Sequence, residues 1–182
     1  MTPITLINSV QLDLILKRLA RQLIENHGNF KESAIIGLQP RGVYLAKRIA
    51  AQVESILGNK IRCGSLDITF HRDDFRRRDT PLQANKTEID FLIEELNVVL
   101  VDDVLYTGRS VRAGLDAMLG FGRPNSVELM CLVDRRFHRD LPIQPNYVGR
   151  QIDSIESEKV SVEWQESDGE DRVILFNTKE NL

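Results

Sequence analysis

Cysteine, histidine and long apolar runs are scarce in this chain, and each scarcity removes a class of function. The two cysteines, Cys63 and Cys131, have no paired spacing and sit in apolar runs. They read as buried thiols in a reducing compartment, not as a disulfide framework. The three histidines, His27, His71 and His138, form no ligand cluster, so no metal site built from protein side chains is expected. No apolar stretch approaches the roughly 18 residues of a membrane span. The start, MTPITLINSVQLDL, has neither the positive region nor the apolar region of a secretory signal. Neither GxxxxGK nor GxGxxG occurs, which removes the P-loop and dinucleotide fingerprints. Internal repeats, low-complexity tracts and linkers are absent as well. The net charge is only −3, so overall electrostatics make no case for nucleic acid or an anionic membrane. A local basic patch stays open. These absences together predict a cytoplasmic protein without membrane contact.

What remains is an ordinary globular balance, 42% hydrophobic and 28% charged over 182 residues, read as one domain over residues 1–182. Leu12, Ile15, Leu16, Leu19, Leu23 and Ile24 recur at helical spacing, with Lys17, Arg18 and Arg21 off the stripe. This predicts an amphipathic helix over 11–26 with a basic outer face, ended by Gly28. Ser33–Leu38 is a short apolar run of the kind a parallel sheet buries on both faces. A turn at Gln39–Gly42 leads into a helix carrying Val43, Ala46, Ile49, Ala50, Val53 and Leu57 on one side. Leu66, Ile68 and Phe70 alternate in Ile61–Phe70, predicting a strand. The polar stretch His71–Glu88 reads as a long flexible loop, or alternatively a hairpin, of the kind that serves as a lid. Asn97–Val101 is the strongest buried strand. It is followed by Asp102–Asp103, by Tyr106–Ser110, and by a helix with Val111, Leu115, Met118 and Leu119. Val127–Val133 is another strand, ending at Asp134, and Lys159–Trp164 and Arg172–Phe176 are short β-rich runs. This alternation predicts an α/β fold, a mainly parallel central sheet flanked by helices with a loop over the site.

In open parallel sheets, ligands bind beyond the carboxyl ends of the strands. There, Val98–Ser110 reads VVLVDDVLYTGRS. Thr107–Ser110 lies between strand and helix, where free N–H groups and the helix dipole favour an anion. Gly108 lets the backbone approach a phosphate, and the Thr107 and Ser110 hydroxyls add donors. Ionised Asp102 and Asp103 only accept hydrogen bonds, which suits hydroxyls. Acids on one side and a phosphate nest on the other fit a ribose 5-phosphate. The plain alternative is a strand, a cap and a turn.

VVLVDDVLYTGRSVRAGLDAML, followed by GRPNSVELMCLVDR and LPI…YVGR, resembles the PyrR family, the bifunctional pyrimidine operon regulators and uracil phosphoribosyltransferases of the type I phosphoribosyltransferase superfamily. IIGLQPRGVYLAKRIA, LDITFHRDD and SEKVSV extend the resemblance over nearly the whole chain. It implies the type I phosphoribosyltransferase-like fold. It also implies transfer from phosphoribosyl pyrophosphate (PRPP) to uracil, giving UMP and pyrophosphate, with Mg²⁺ carried by PRPP or pyrophosphate. Asp102 and Asp103 would hold the ribose hydroxyls, Tyr106–Ser110, Arg109 included, would cradle the 5-phosphate, and Val104 and Leu105 would line the substrate site between them. Gln39-Pro40-Arg41-Gly42 would form the pyrophosphate loop, with Arg41 stabilising the departing diphosphate. Taken alone, Arg41 equally fits a solvated turn. Arg72, Arg76, Arg77 and Arg78 of the lid could reach the pyrophosphate or simply be solvated.

Related purine enzymes carry an acid where Tyr106 stands, so Tyr106 implies a pyrimidine. The base would sit beside Asp134 and Arg135. Where the family continues Gly-His-Arg-Glu-Leu-Pro, this chain reads Arg136-Phe137-His138-Arg139-Asp140-Leu141-Pro142. The family also binds pyrimidine-operon leader mRNA in response to uridine nucleotides (UMP and UTP), attenuating transcription. Lys17, Arg18, Arg21 and Arg150 match its basic RNA face, while Asn26 and Gln144 replace two basic residues of it. A solvated helix face is the plain alternative for the first three. The resemblance further implies a homodimer or higher homo-oligomer. Two other readings stay open: a regulator that uses the pocket only to sense nucleotides, and a type I transferase for another base.

Overall fold

The computed structural model describes residues 3–73 and 85–177. A five-stranded parallel sheet is its centre, in the order β3-β2-β4-β5-β6. Its strands are β2 (Ser33–Leu38), β3 (Arg62–Leu66), β4 (Asn97–Leu105), β5 (Ser126–Arg136) and β6 (Tyr147–Asp153). Alternate residues of each strand feed two cores. Ile35, Val99, Val101, Met130 and Leu132 face the helices α1 (Ser9–His27) and α2 (Gly42–Leu57). Ile36, Val98, Leu100, Leu129 and Cys131 face α3 (Arg109–Met118). Covered on both faces, the inner strands have no need of polar alternation.

The first helix starts one turn earlier than its apolar stripe. Asn8 caps it, accepting from the Gln11 N–H at 2.9 Å, while the Gln11 side chain accepts from the Asn8 N–H at 3.0 Å. This reciprocal pair satisfies two amides that would otherwise lack partners.

A second sheet lies on the α1/α2 side. It is antiparallel, in the order β1-β8-β7, from β1 (Ile4–Ile7), β7 (Glu158–Glu163) and β8 (Arg172–Asn177). Ile7, Val160, Val162, Trp164 and Val173 complete the core beneath α1 and α2. Between β7 and β8 runs a single helical turn, α4 (Gln165–Asp168).

Three features differ from the sequence reading or add to it. The strand predicted over Ile61–Phe70 stops at Leu66, and Thr69–His71 forms a 3₁₀ turn that turns Phe70 out to solvent. Leu115 and Leu119 are exposed, because α3 seats its small face, Ala113, Gly114 and Ala117, against the sheet. The strand β1 forms in a stretch for which no element is expected.

Candidate functional site

Parallel pairing of β4 with β5 continues past the apolar run, matching Asp102 with Cys131 and Leu105 with Asp134. The two acids are therefore part of the strand, at its carboxyl end. Tyr106–Gly108 then turns the chain into α3. Gly108 has φ +92°, which favours glycine, and a Cβ there would press on the Ile143 side chain at 3.2 Å. The carbonyl of Thr107 accepts from the N–H groups of Asp140 and Leu141 at 3.0 and 3.2 Å. A cavity of about 220 Å³ opens here, lined by Arg72, Asp102, Tyr106–Ser110 and neighbours. The amides of the first turn of α3, which lack intrahelical acceptors, begin at its floor.

A second hollow of about 170 Å³ adjoins it, lined by Gln39, Pro40, Arg41, Asp102, Asp103 and Ser110 among others. Asp102, Val104, Ser110 and Arg72 border both. The Gln39-Pro40 peptide is cis. Gly42 opens α2 against the end of β4: a Cβ would meet the Val101 carbonyl oxygen at 2.5 Å. Arg41 points to α4. Its Nη1 and Nη2 each donate to one carboxylate oxygen of Asp168 at 3.0 Å, and Nη1 also donates to the Val162 carbonyl at 2.7 Å.

Asp102 and Asp103 are half-buried neighbours. Burial, followed by the Asp103 charge, pushes Asp102 well above the usual carboxylate range. Burial also raises Asp103, against the pull of the Val104 amide and of Arg41. Such a pair holds one charge more readily than two, and donors that come close, such as sugar hydroxyls, favour the ionised form.

The expected base site is built differently on its two sides. Asp134 is nearly buried and takes an ion pair from Arg139, which also donates to the Tyr106 carbonyl. Asp134, Phe137, Arg139 and Ile143 line a further hollow. Arg135 stands behind Tyr106, only 5% exposed. Its guanidinium lies 3.9 Å from the Tyr106 ring centroid and donates to Ser154 Oγ (2.9 Å) and the Glu158 carbonyl (2.8 Å). Phe137 has φ +74° and is 76% exposed, with the Arg136 guanidinium over its ring.

The four basic residues expected to meet RNA gather where α1 packs on β6. Arg18 donates to the carbonyls of Val148 (3.1 Å) and Gly149 (2.7 Å), and Arg150 donates to that of Leu6 at 2.6 Å. Lys17 pairs with Asp13 at 2.6 Å, and Arg21 donates to the Lys17 carbonyl at 3.3 Å.

Of the stretch expected to serve as a lid, Arg72 borders both hollows, and Asp73 takes an ion pair from Arg109 at 2.5 Å. At its far end Thr87 accepts from the Asp67 amide, and Glu88 bridges to Ser65. Arg76, Arg77 and Arg78 lie outside the described residues. Sequence reasoning missed Asp168 and Arg139 as neighbours of the site. Arg139 stands five residues from Asp134, while Asp168 is 127 residues from Arg41 and has no local signal. Among the described residues no group of three or more His, Cys, Asp and Glu side chains comes together to hold a metal ion. Among them, too, no helix is long and apolar enough to cross a membrane.

The phosphoribosyl transferase domain family matches residues 8–167. Curated relatives include the bifunctional protein PyrR of Desulfosudis oleivorans, 46% identical, covering 90% of this chain and 91% of that protein. The bifunctional protein PyrR of Bacillus subtilis is 44% identical with the same coverages. Among solved structures, a hypoxanthine phosphoribosyltransferase from Staphylococcus aureus superposes with a TM-score of 0.71 at 18% identity, covering 98% of this chain and 94% of that one. The fold is thus that of the type I phosphoribosyltransferases, and by sequence the chain belongs to their PyrR family.

Proposed function

We propose that this protein is a cytoplasmic uracil phosphoribosyltransferase, converting uracil and PRPP to UMP and pyrophosphate, and that it also regulates pyrimidine genes by binding their leader mRNA. One observation carries the enzymatic reading: two acids and a helix-start nest share one end of β4, with a second loop adjoining them. Acceptors for a diol and donors for a phosphate thus face the same space.

In this reading the ribose hydroxyls donate to Asp102 and Asp103. The 5-phosphate lies on the Thr107–Ser110 amides and hydroxyls, with the α3 dipole behind them. Pro40, Arg41 and Gly42 receive the pyrophosphate. Uracil N1 displaces it at the anomeric carbon through an oxocarbenium-like transition state, so these residues contribute mainly position and charge. Tyr106 packs against the Arg135 guanidinium and the His138 ring. The hard oxygens of Asp102 and Asp103 also suit Mg²⁺, which prefers oxygen and keeps substrate phosphates as ligands. When bound, the ion neutralises the diphosphate it arrives with.

RNA binding is supported by the grouping of Lys17, Arg18, Arg21 and Arg150 at the α1–β6 seam, as phosphate neutralisation supplies most nucleic-acid affinity. The family also carries assembly into a homodimer or higher homo-oligomer, which a light-scattering mass tests. Incubation with uracil, PRPP and Mg²⁺ is expected to form UMP. PRPP binding without UMP formation would sink the enzymatic reading, and a panel of competing bases would expose a different acceptor. A gel shift with a pyrimidine-operon leader, with and without UMP, tests the regulatory half.

A further inference from the structure

The proposed pyrophosphate loop does not aim its own arginine. Asp168 takes the Nη1–Nη2 edge of Arg41, and the Val162 carbonyl takes the remaining hydrogen of Nη1. What is left is the edge formed by Nε–H and the second Nη2–H, for which no described residue supplies an acceptor. That edge is a parallel two-donor fork, matched in spacing to two oxygens of one phosphate group. Arg41 borders the hollow that contains Asp102 and Asp103.

Asp168 is itself fixed. Its Oδ2 accepts from the Trp164 amide at 2.9 Å and the Ser167 hydroxyl at 2.7 Å, and its own amide donates to the Trp164 carbonyl at 2.7 Å. The corner that carries it is strapped to α2 without using Arg41. Arg48 makes two bonds to Glu166, at 3.0 and 2.7 Å, and two to Asp171, both at 2.8 Å. The antiparallel sheet therefore presents a rigid carboxylate to the back of Arg41. A long, rotamer-rich side chain is thereby ordered before ligand arrives.

We propose that Asp168 is a positioning residue for the diphosphate: it grips one edge of Arg41 so that the other faces the leaving group. Asp168 itself touches no substrate. The inference rests on the assignment of Gln39–Gly42 as the pyrophosphate loop. The opposite role, a carboxylate that competes with diphosphate for Arg41, predicts the reverse effect on binding.

The test is a mutant cycle in the full chain: wild type, Asp168→Asn, Asp168→Ala, Arg41→Ala, and Arg41→Ala with Asp168→Ala. Binding of Mg²⁺-pyrophosphate is measured by calorimetry, and UMP formation by steady-state kinetics. Both Asp168 variants are expected to weaken pyrophosphate binding and lower kcat/KM for PRPP by about tenfold, with KM for uracil unchanged. In the Arg41→Ala background, Asp168→Ala is expected to add nothing. Asp168→Asn keeps the acceptor for the Trp164 amide, which separates loss of aim from loss of the α4 turn. Tighter or unchanged pyrophosphate binding would overturn the proposal, as would an equal loss in the Arg41→Ala background or a matching rise in KM for uracil. Should wild type form no UMP yet bind pyrophosphate, the enzymatic reading falls and the calorimetric cycle still decides the role of Asp168. Should wild type bind no pyrophosphate, both fall together.

Discussion

At the amino ends of the parallel strands, His27 sits between Ser33 and Glu128, at 2.9 and 3.1 Å. Tyr147 donates to the same Glu128 at 2.6 Å, and Asn26 donates to the Tyr147 oxygen at 2.8 Å. One tautomer, with Nε2 donating to Glu128 and Nδ1 accepting from Ser33, gives every member a partner. Burial, with Glu128 beside it, pushes the Tyr147 phenol up to about 12. At the carboxyl ends, Asp102 and Asp103 stand side by side, both raised by burial, with two hollows opening over them. The same sheet thus closes its polar groups at one end and holds them in tension at the other. A closed network contributes stability, and groups held short of full satisfaction are available to a ligand.

This contrast is broken most directly at the acids. Replacing both Asp102 and Asp103 by Asn is expected to lower turnover by about 10²–10³-fold, the scale of removing a charge-stabilising group. The same change is expected to raise the melting temperature of the ligand-free protein at neutral pH. The sign follows from the raised values: the folded state holds these protons more tightly than the unfolded chain. Their contribution is full below the ordinary carboxylate range and is lost as pH rises through the folded values. Thermal melts from pH 4 upward should therefore show a loss in wild type that the double variant lacks. A lower melting temperature for the variant at neutral pH would refute the tension.

Gly42→Ala comes next. Its methyl meets the Val101 carbonyl oxygen, so α2 must shift at a cost of about 1–3 kcal/mol, and denaturant titration measures it. Pyrophosphate affinity should fall with it. His27→Ala is the matching experiment at the other end. It leaves Glu128 and Ser33 short of a partner and should cost about 1–3 kcal/mol, while kcat at a permissive temperature stays at the wild-type value. A fall in kcat would mean that the two ends are coupled through the sheet. The smallest effect is expected on the flank where α1 meets β6. Lys17→Ala with Arg21→Ala should flatten the salt dependence of leader RNA binding, lowering its log–log slope by about 0.7–0.9 for each phosphate that is no longer neutralised. Gel shifts at several salt concentrations read that slope.

How much of this could be read from residues alone differs between the two ends. The nest and the acids were legible because their chemistry is contiguous: hydroxyls, glycine and carboxylates within Asp102–Ser110. The continuation of β4 through the acids was not, because it depends on pairing with β5, and no local pattern marks it. Arg135 could be assigned to the base side from its place after Asp134, but its burial behind Tyr106 follows from Ser154 and Glu158, which come later in the chain. Leu115 and Leu119 fit a helical stripe, and only the close seating of Ala113 and Gly114 turns them outward. The amino-end network has no signature in the sequence at all. His27, Glu128 and Tyr147 are far apart along the chain, and none of them stands out alone.

The seam between the two sheets also contains the chain's single tryptophan. Trp164 is fully buried, with the Arg48 guanidinium 4.9 Å from its ring and its amide on Asp168. The protein therefore carries one intrinsic fluorophore, shielded from water and set beside a cation, and linked to Arg41 through the Asp168 carboxylate. Any opening of the seam, by heat, denaturant or ligand, would wet that indole and shift its emission, so the protein reports on this corner without a label.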